Sequence, residues 1–502
     1  MIPILSSLQI AEADRYTIEH EPIAPIDLME RAAEAFIKCF TQKFKVSSPV
    51  YIFCGKGNNG GDGLAIGRLL QNYNYEIYVF ILNQTGDSSE AFLINESRIK
   101  NTGLLLTYIK SEKKFPELHK EAIIVDALFG TGLNKPLKGL AEELVKYLNV
   151  QQATRVSVDI PSGLYADKPT RDLTFKAHHT ITFQYPKLSF LFCENLEAIG
   201  EWYAVDIGLA KIIWPSNGVS HFFLERMDIE RMLKPRKKFD HKGSFGHAFI
   251  HAGSKGKMGA AIMCTLACVR TGAGLITVHI PEGYTAVFNI TVPEAMTEEY
   301  LGDESLNSKD LSKYNAFAFG PGIGTTANAK KKFLGLLSAV RAAAVFDADA
   351  LNIISQEEND LTLLPADSII TPHPKEFERL AGVSSDWADR LQRQMDLSKK
   401  HHLYIILKGA YTCISTPQGK CYFNSTGNPG MAKGGSGDVL TGMVASFLAQ
   451  GYHQEEASLL SVYLHGLSAD IAVKKQSEQS LLATDIISTI GDAFREISAP
   501  AT

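Results

Sequence analysis

Residues 428–440 read N-P-G-M-A-K-G-G-S-G-D-V-L, and this stretch decides the fold of the half of the chain that holds it. Gly430, Gly434, Gly435 and Gly437 crowd a turn, Asp438 follows, and Val439, Leu440, Met443 and Val444 repeat at helical spacing. The pattern predicts a loop that opens a helix. Glycines let backbone N–H groups converge on an anion, and a helix N-terminus adds about half a positive charge there. A carboxylate in the first turn would repel a bound phosphate. Asp438 makes sense there if it takes the proton from a hydroxyl that is being phosphorylated. An ordinary capped helix after a glycine turn uses the same residue types.

The loop resembles the G-x-G-D anion hole of ribokinase-like kinases. The longer string N-x-G-M-A-x-G-G-S-G-D-V-L-x-G is similar to a narrower family, the ADP/ATP-dependent dehydratases that repair hydrated NADH and NADPH. The remaining sequence tests that resemblance.

At 502 residues the chain has room for two or three domains. Its 45% hydrophobic and 21% charged residues suit ordinary globular domains. The net charge of -5 gives no electrostatic case for nucleic acid. Cys39, Cys54, Cys193, Cys264, Cys268, Cys413 and Cys421 form no C-x-x-C pair and mostly sit in apolar segments, which predicts buried thiols in a reducing compartment. No run reaches the ~18 apolar residues of a membrane span. The N-terminal M-I-P-I-L-S-S-L lacks a basic region and is expected to be a mature N-terminus.

In the first half, 8–20 and 26–44 have helix-period apolar residues, and 49–54 is a short β-rich run. It leads into G-K-G-N-N-G-G-D-G (55–63) and a helix to residue 70. Strand, glycine loop and helix form a phosphate- or dinucleotide-binding arrangement. Gly55, Gly57 and Gly60 satisfy G-x-G-x-x-G, but a dehydrogenase fingerprint wants an acidic residue after the next strand, and Glu76 precedes the run 77–82. Two further strands are expected, 122–125 ending in Asp126 before A-L-F-G-T-G-L, and 155–158 ending in D-I-P-S-G. Polar residues just past successive strands of an open α/β sheet point into the ligand crevice, which gathers Asn59, Asp126, Asp159 and Ser162. Each taken alone is as well read as a cap or a turn residue.

G-x-G-N-N-G-G-D-G, V-D-A-L-F-G-T-G-L, D-I-P-S-G-L, F-Q-Y-P-K (183–187) and V-D-I-G (205–208) resemble the NAD(P)H-hydrate epimerases. The resemblance spans about residues 8–214 and implies a Rossmann-like three-layer domain over 1–214. It implies substrate contacts from Asn58, Asn59, Gly60, Gly61 and Asp62, from Gly130, Thr131, Gly132, Leu133, Asn134, Lys135 and Pro136, and from Asp159. It implies K+ held through Asn59, Asp126 and Ser162, three oxygen donors of the kind a hard cation prefers. Asp126 is the candidate acid/base, with Asp159 its rival. The sequence does not choose between them.

The segment 211–217, with Trp214-Pro215, ends the first pattern. A strand and short helix are expected over 222–233, and the basic run 234–244 is expected to be a surface loop. K-G-S-F-G (242–246) matches the opening of the dehydratase domain. Strands are then expected at 247–251, 275–281, before the glycine turn of 317–324, in 344–350 before two carboxylates, and in 404–414 around a K-G turn. Alternation with helices predicts a second α/β domain, over 225–500, which the resemblance makes ribokinase-like. Prolines flank His373 and set it in an extended turn before a helix. By resemblance, Ala260, Gly322, Gly324, His373 and Asp438 line the hydrated substrate. Lys408, Gly409, Ala410, Tyr411, Thr412, Gly435, Ser436 and Gly437 line ADP or ATP with Mg2+. Lys433 either contacts phosphate or is solvated. No G-x-x-x-x-G-K-[ST] occurs, which excludes a P-loop NTPase.

The implied chemistry is repair of NADH and NADPH hydrates. Phosphorylation makes the ring hydroxyl a good leaving group, the ring nitrogen expels phosphate, and an epimerase supplies the one epimer that fits. No nucleic-acid or membrane partner is expected, and a cytoplasmic homo-oligomer is implied. Two other readings compete. One is a vitamin or sugar kinase with an N-terminal regulatory domain, which would stop at a stable phosphorylated product. The other makes the first half a binding scaffold, for which a cation seat would be superfluous.

Overall fold

The computed structural model describes residues 1–83, 86–212, 218–301, 310–342, 344–356 and 361–499. They form two units, Pro3–Val219, and Met1–Ile2 with Ser220–Thr502. The Trp214-Pro215 junction lies outside the described residues.

The Pro3–Val219 unit is built on seven parallel strands, Val50–Cys54, Ile77–Leu82, Leu106–Ile109, Ile123–Ala127, Thr154–Val158, His179–Phe183 and Glu201–Val205. Counted along the chain, their spatial order is 3-2-1-4-5-6-7, which puts the reversal of winding beside Val50–Cys54. Parallel strands covered on both faces read as continuous apolar runs, as V-Y-I-F-C and I-I-V-D-A do. One apolar cluster, with Phe36, Phe40, Ile52 and Ile66, packs helices Pro25–Lys43 and Asn58–Leu70 on the sheet. Another, with Phe53, Leu144 and Leu148, includes the helix Leu140–Asn149. The sequence places Asp126 just past its strand, whereas it lies within Ile123–Ala127, paired with Phe53 on one side and Ser157 on the other.

The other unit holds an eleven-stranded sheet. Its central strands Leu275–Pro281, His247–His251, Ala316–Phe319, Ala344–Phe346, Ile369–Ile370 and Tyr404–Leu407 run parallel. Cys413–Ser415 and Cys421–Phe423 continue it antiparallel, and His221–Phe223 follows in parallel. The helix Ser436–Ala449 is buried along nearly its whole length and packs on Met258–Thr271. Gly442 makes that contact possible, since a Cβ there would stand 2.0 Å from the Cys264 carbonyl oxygen.

Short strands with little apolar signal escape sequence reading. Leu106–Ile109 and Met296–Tyr300 are mostly half-buried or exposed and form no continuous buried run. Cys54, Cys264, Cys268, Cys413 and Cys421 are buried as expected, but Cys193 is exposed. Among the described residues, no helix is long and apolar enough to cross a membrane.

Gly442→Ala forces a methyl against backbone that cannot yield, and overpacking of this kind costs about 1–3 kcal/mol. A lower urea midpoint is expected. An unchanged midpoint would mean that the two helices are not in such close contact.

Candidate functional site

In the first unit a cavity of about 1240 Å³ opens beyond the strand ends at the winding reversal. The helix Asn58–Leu70 starts there. Its N-cap is Gly57, with no side-chain cap, so the first-turn N–H groups are left for a ligand. Side chains are excluded where backbones cross, since a Cβ on Gly60 would stand 1.9 Å from the Gly55 oxygen, and one on Gly55 equally close to the Leu128 oxygen. Asn58, Asn59, Asp62, Gly130, Thr131, Gly132, Leu133, Asn134 and Asp159 all line the cavity. Gly60, Gly61, Lys135 and Pro136 adjoin it in sequence without lining it.

Asp126 and Ser162 sit beneath this floor, fully buried. Asp126 Oδ1 accepts from Ser162 Oγ at 2.6 Å and Leu128 N at 3.2 Å, and Oδ2 from Ser157 Oγ and Ser162 N, both at 2.8 Å. Burial pushes its carboxyl up, and these bonds pull against the shift. Ser162 Oγ also accepts from Phe129 N at 2.9 Å, so the pair fixes the turn that leads to Gly130. Asn59 is buried, with its Nδ2 unpartnered, and a Cβ on Gly130 would stand 3.2 Å from the Asn59 Cβ.

Asp159 is different. It adopts a left-handed φ of 64°, which non-glycine residues tolerate at a cost of about 1–3 kcal/mol and chiefly at functional sites. Its Oδ1 accepts from Lys187 Nζ at 2.7 Å, Phe183 N at 3.0 Å and Thr182 Oγ1 at 3.1 Å. Lys187 is 1% exposed and also donates to the Phe183 and Tyr185 carbonyls. Sequence reading singles out F-Q-Y-P-K as a motif but assigns Lys187 no role. A buried ammonium needs a carboxylate, and that need was the available signal.

In the second unit the helix Ser436–Ala449 also starts without a side-chain cap, behind Gly435 at φ 97°. Asp438 lies in its first turn, with its carboxyl raised to about 7, first by burial and then by Asp347, while Lys408 opposes and Asp349 adds. Asp347 is buried, bonded to Lys408 Nζ at 2.9 Å and Thr441 Oγ1 at 2.8 Å. A Cβ on Gly437 would stand 3.3 Å from Lys408 Nζ, so the anion loop, Lys408 and Asp347 meet at one point. Gly409, Ala410, Tyr411 and Thr412 form the turn between Tyr404–Leu407 and Cys413–Ser415, closed by Thr412 Oγ1 donating to the Gly409 oxygen at 3.0 Å. Ser436 Oγ lies 3.4 Å from His465 Nε2, an imidazole that burial and Lys408 lower to about 4.

Gly322 and Ala260 adjoin, since a Cβ on Gly322 would stand 3.2 Å from that of Ala260. Gly324 N donates to Asp349 Oδ2 at 2.8 Å, and Lys257 Nζ lies 3.2 Å from the same oxygen. His373 caps the helix Pro374–Ala381, its Nδ1 accepting from Glu376 N at 3.2 Å. The flanking prolines therefore set a helix start, and only the Nε2 edge of His373 is left toward solvent, 3.3 Å from Glu376 Oε1. Lys433 Nζ bonds the Gln479 carbonyl. Asp347 and Asp349 appear in the sequence only as carboxylates after a strand; their grouping with Asp438 and Lys408 depends on the sheet order.

Two family models match this arrangement, the YjeF-related protein N-terminus over residues 25–189 and NAD(P)H-hydrate dehydratase over 248–492. The bifunctional NAD(P)H-hydrate repair enzyme Nnr of Moorella thermoacetica is 31% identical over 513 residues, covering 98% of this chain and 97% of that one. The chain belongs to the bifunctional NAD(P)H-hydrate repair enzyme family. The repair enzyme Nnr of Escherichia coli is 32% identical over 471 residues, 92% of this chain and 88% of that one. A solved ribokinase-like superfamily protein from Enterococcus faecalis V583 is 28% identical, covering 58% of this chain and 100% of its own, with a TM-score of 0.50.

In this repair-enzyme chain the folded Asp438 keeps its proton up to about pH 7, whereas an unfolded aspartate loses it near ~3.9. The folded state binds the extra proton between these values, so its stability falls as pH rises through that window. Asp438→Asn removes the penalty. The variant should melt with wild type near pH 4 and progressively above it toward pH 7, read by thermal unfolding without ligand. A melting difference that does not grow with pH would show that Asp438 is not held protonated.

Proposed function

We propose that the chain repairs hydrated NADH and NADPH with two active sites, an epimerase domain over 1–214 and an ADP/ATP-dependent dehydratase domain over 225–500. The observation that carries this reading is Asp438, a carboxyl held near neutrality in the first turn of an uncapped helix.

In the dehydratase site, first-turn N–H groups from Gly437 onward cradle the transferred phosphoryl, and Asp438 takes the proton of the substrate hydroxyl. A base with pKa near ambient pH suits that task. Lys408, held by Asp347, sets positive charge beside the anion loop. Mg2+ arriving with the nucleotide would supply charge neutralisation on the phosphoryl group, and nearby carboxylates would help to hold it. Asp347 and Asp349 are the carboxylates that face Asp438. Lys408, Gly409, Ala410, Tyr411, Thr412, Gly435 and Ser436 hold the adenine nucleotide. Ala260, Gly322, Gly324 and the Nε2 edge of His373 hold the substrate.

In the epimerase site, the uncapped N-terminus at Asn58–Asp62 and the turn 130–136 hold the hydrated dinucleotide. Asn59, Asp126 and Ser162 carry oxygens of the kind that suit K+, and the unpartnered Nδ2 of buried Asn59 is a donor left for an acceptor on the substrate. Asp126 is the acid/base that sequence reading prefers. Its four hydrogen bonds and its place beneath the cavity favour giving that role to Asp159, which lines the cavity beside Lys187. A cytoplasmic homo-oligomer completes the proposal, to be read by light scattering.

Purified protein with a mixture of both NADH-hydrate epimers, and ADP or ATP in separate reactions, should return NADH from all of it with one nucleotide. Asp438→Asn should lower that rate at least ~100-fold. Phosphorylated product that accumulates without NADH would support a kinase instead. In a second measurement, replacing K+ with Li+ should slow epimerisation in wild type but leave Asn59→Ala, already slow, unchanged. Equal rates in both salts for wild type would remove K+ from the site.

A further inference from the structure

The helix Ser7–His20 carries a side chain into the first unit's cavity that the proposed machinery leaves unused. Asp14 is half-buried and lines the cavity together with Asp62, Asp159 and Lys187. Its helix is firmly seated. Ser6 and Gln9 form a capping box, Ser7 Oγ donates to Asp167 Oδ2 at 2.7 Å, and buried Thr17 accepts from Ala210 N at 3.0 Å. Lys187 is bonded to Asp159, and Asp14 and Asp62 crowd the same carboxylate, a grouping of titratable side chains in a cavity that is typical of functional sites. Asn59, more than nine-tenths buried with an unpartnered amide end, lines the same cavity and points independently to a ligand.

We propose that Asp14 is the second acid–base group of the epimerase site, paired with Asp159. This rests on the epimerase reading above. The hydroxyl-bearing carbon of the hydrated ring adjoins the ring nitrogen, so the epimers exchange by loss and return of water. Neutral Asp14 gives its proton to the hydroxyl. The C–O bond breaks with its electron pair leaving on water, while the nitrogen lone pair forms a C=N bond. Water then adds to the opposite face, the C=N pair returns to nitrogen, and ionised Asp159 takes the proton that water sheds. Passing one proton back from Asp159 to Asp14 resets the pair, and the reverse reaction exchanges their roles.

The surroundings separate the two carboxyls as this requires. Lys187 Nζ bonds Asp159 Oδ1 at 2.7 Å, so Asp159 has a cation bonded to its carboxylate. Asp14 has no such bond; burial first and then Asp159 raise it to about 6, with Lys187 opposing. Asp62, itself raised first by burial and then by Asp159 and Asp14, lines the same cavity, and Tyr185 faces Asp14 as a neutral phenol.

The test follows conversion of one purified NADH-hydrate epimer into the other by chromatography, on the full chain without nucleotide, so the dehydratase is silent. For Asp14→Asn we expect kcat to fall at least ~100-fold with KM within about threefold of wild type. The wild-type decline of kcat as pH rises through about 6 should vanish in Asp14→Asn and return in part in Asp14→Glu. An Asp14→Asn enzyme with kcat near wild type, or with the same pH limb, overturns the assignment. So does loss confined to KM in both variants, which would make Asp14 a binding or folding residue. Absence of epimerisation in wild type itself would instead sink the epimerase reading and this inference with it.

Discussion

Both sites depend on one constraint: a helix must begin within reach of a ligand with its first N–H groups unspent. Each of these helices is preceded by glycine and lacks a side-chain cap, Asn58–Leu70 behind Gly57 and Ser436–Ala449 behind Gly435. A Ser or Asp N-cap would stabilise either helix by about 1 kcal/mol and would spend the donors an anion needs. The glycines also allow backbone contact that a side chain would block. Gly60 lies against the Gly55 carbonyl, and Gly435 holds a left-handed φ with Met263 packed where a Cβ would be. Local helix stability is given up so that the strand, the turn and the helix can converge on one point.

Charge then distinguishes the two sites. In the second unit Lys408 is tied to Asp347, and Asp438 is left with burial and carboxylate neighbours that raise its proton affinity to about 7. In the first unit Lys187 is tied to Asp159, which leaves Asp14 in the raised state. In the first unit, one carboxylate paired and another unpaired is a simple way to obtain a base and an acid from the same residue type. Buried lysine pairs of this kind are costly to break, because the remaining charge has no partner.

Much of the fold was legible because apolar periodicity and glycine loops are local signals. Ile77–Leu82, His247–His251 and Leu275–Pro281 have the bounds that the sequence predicts. The seven-strand order could not be read, since pairing Ile123–Ala127 with Val50–Cys54 joins segments separated by two strands. His373 shows what a local signal leaves open. Its proline neighbours predict an extended turn before a helix, and the structure adds that Nδ1 caps that helix, which leaves the Nε2 edge for a ligand.

By itself the sequence determined most of the longer strands and helices, where glycine loops open helices, and which carboxylates stand near strand ends. These follow from steric and periodic preferences that act over a few residues. Only the tertiary structure decided which of those carboxylates are spent and which are available. Asp126 is held beneath the cavity by Ser157, Ser162 and Leu128, while Asp14, from the first helix, shares that cavity with Asp159. Burial and pairing set the proton affinity of a carboxyl, and both are properties of neighbours brought together from distant parts of the chain.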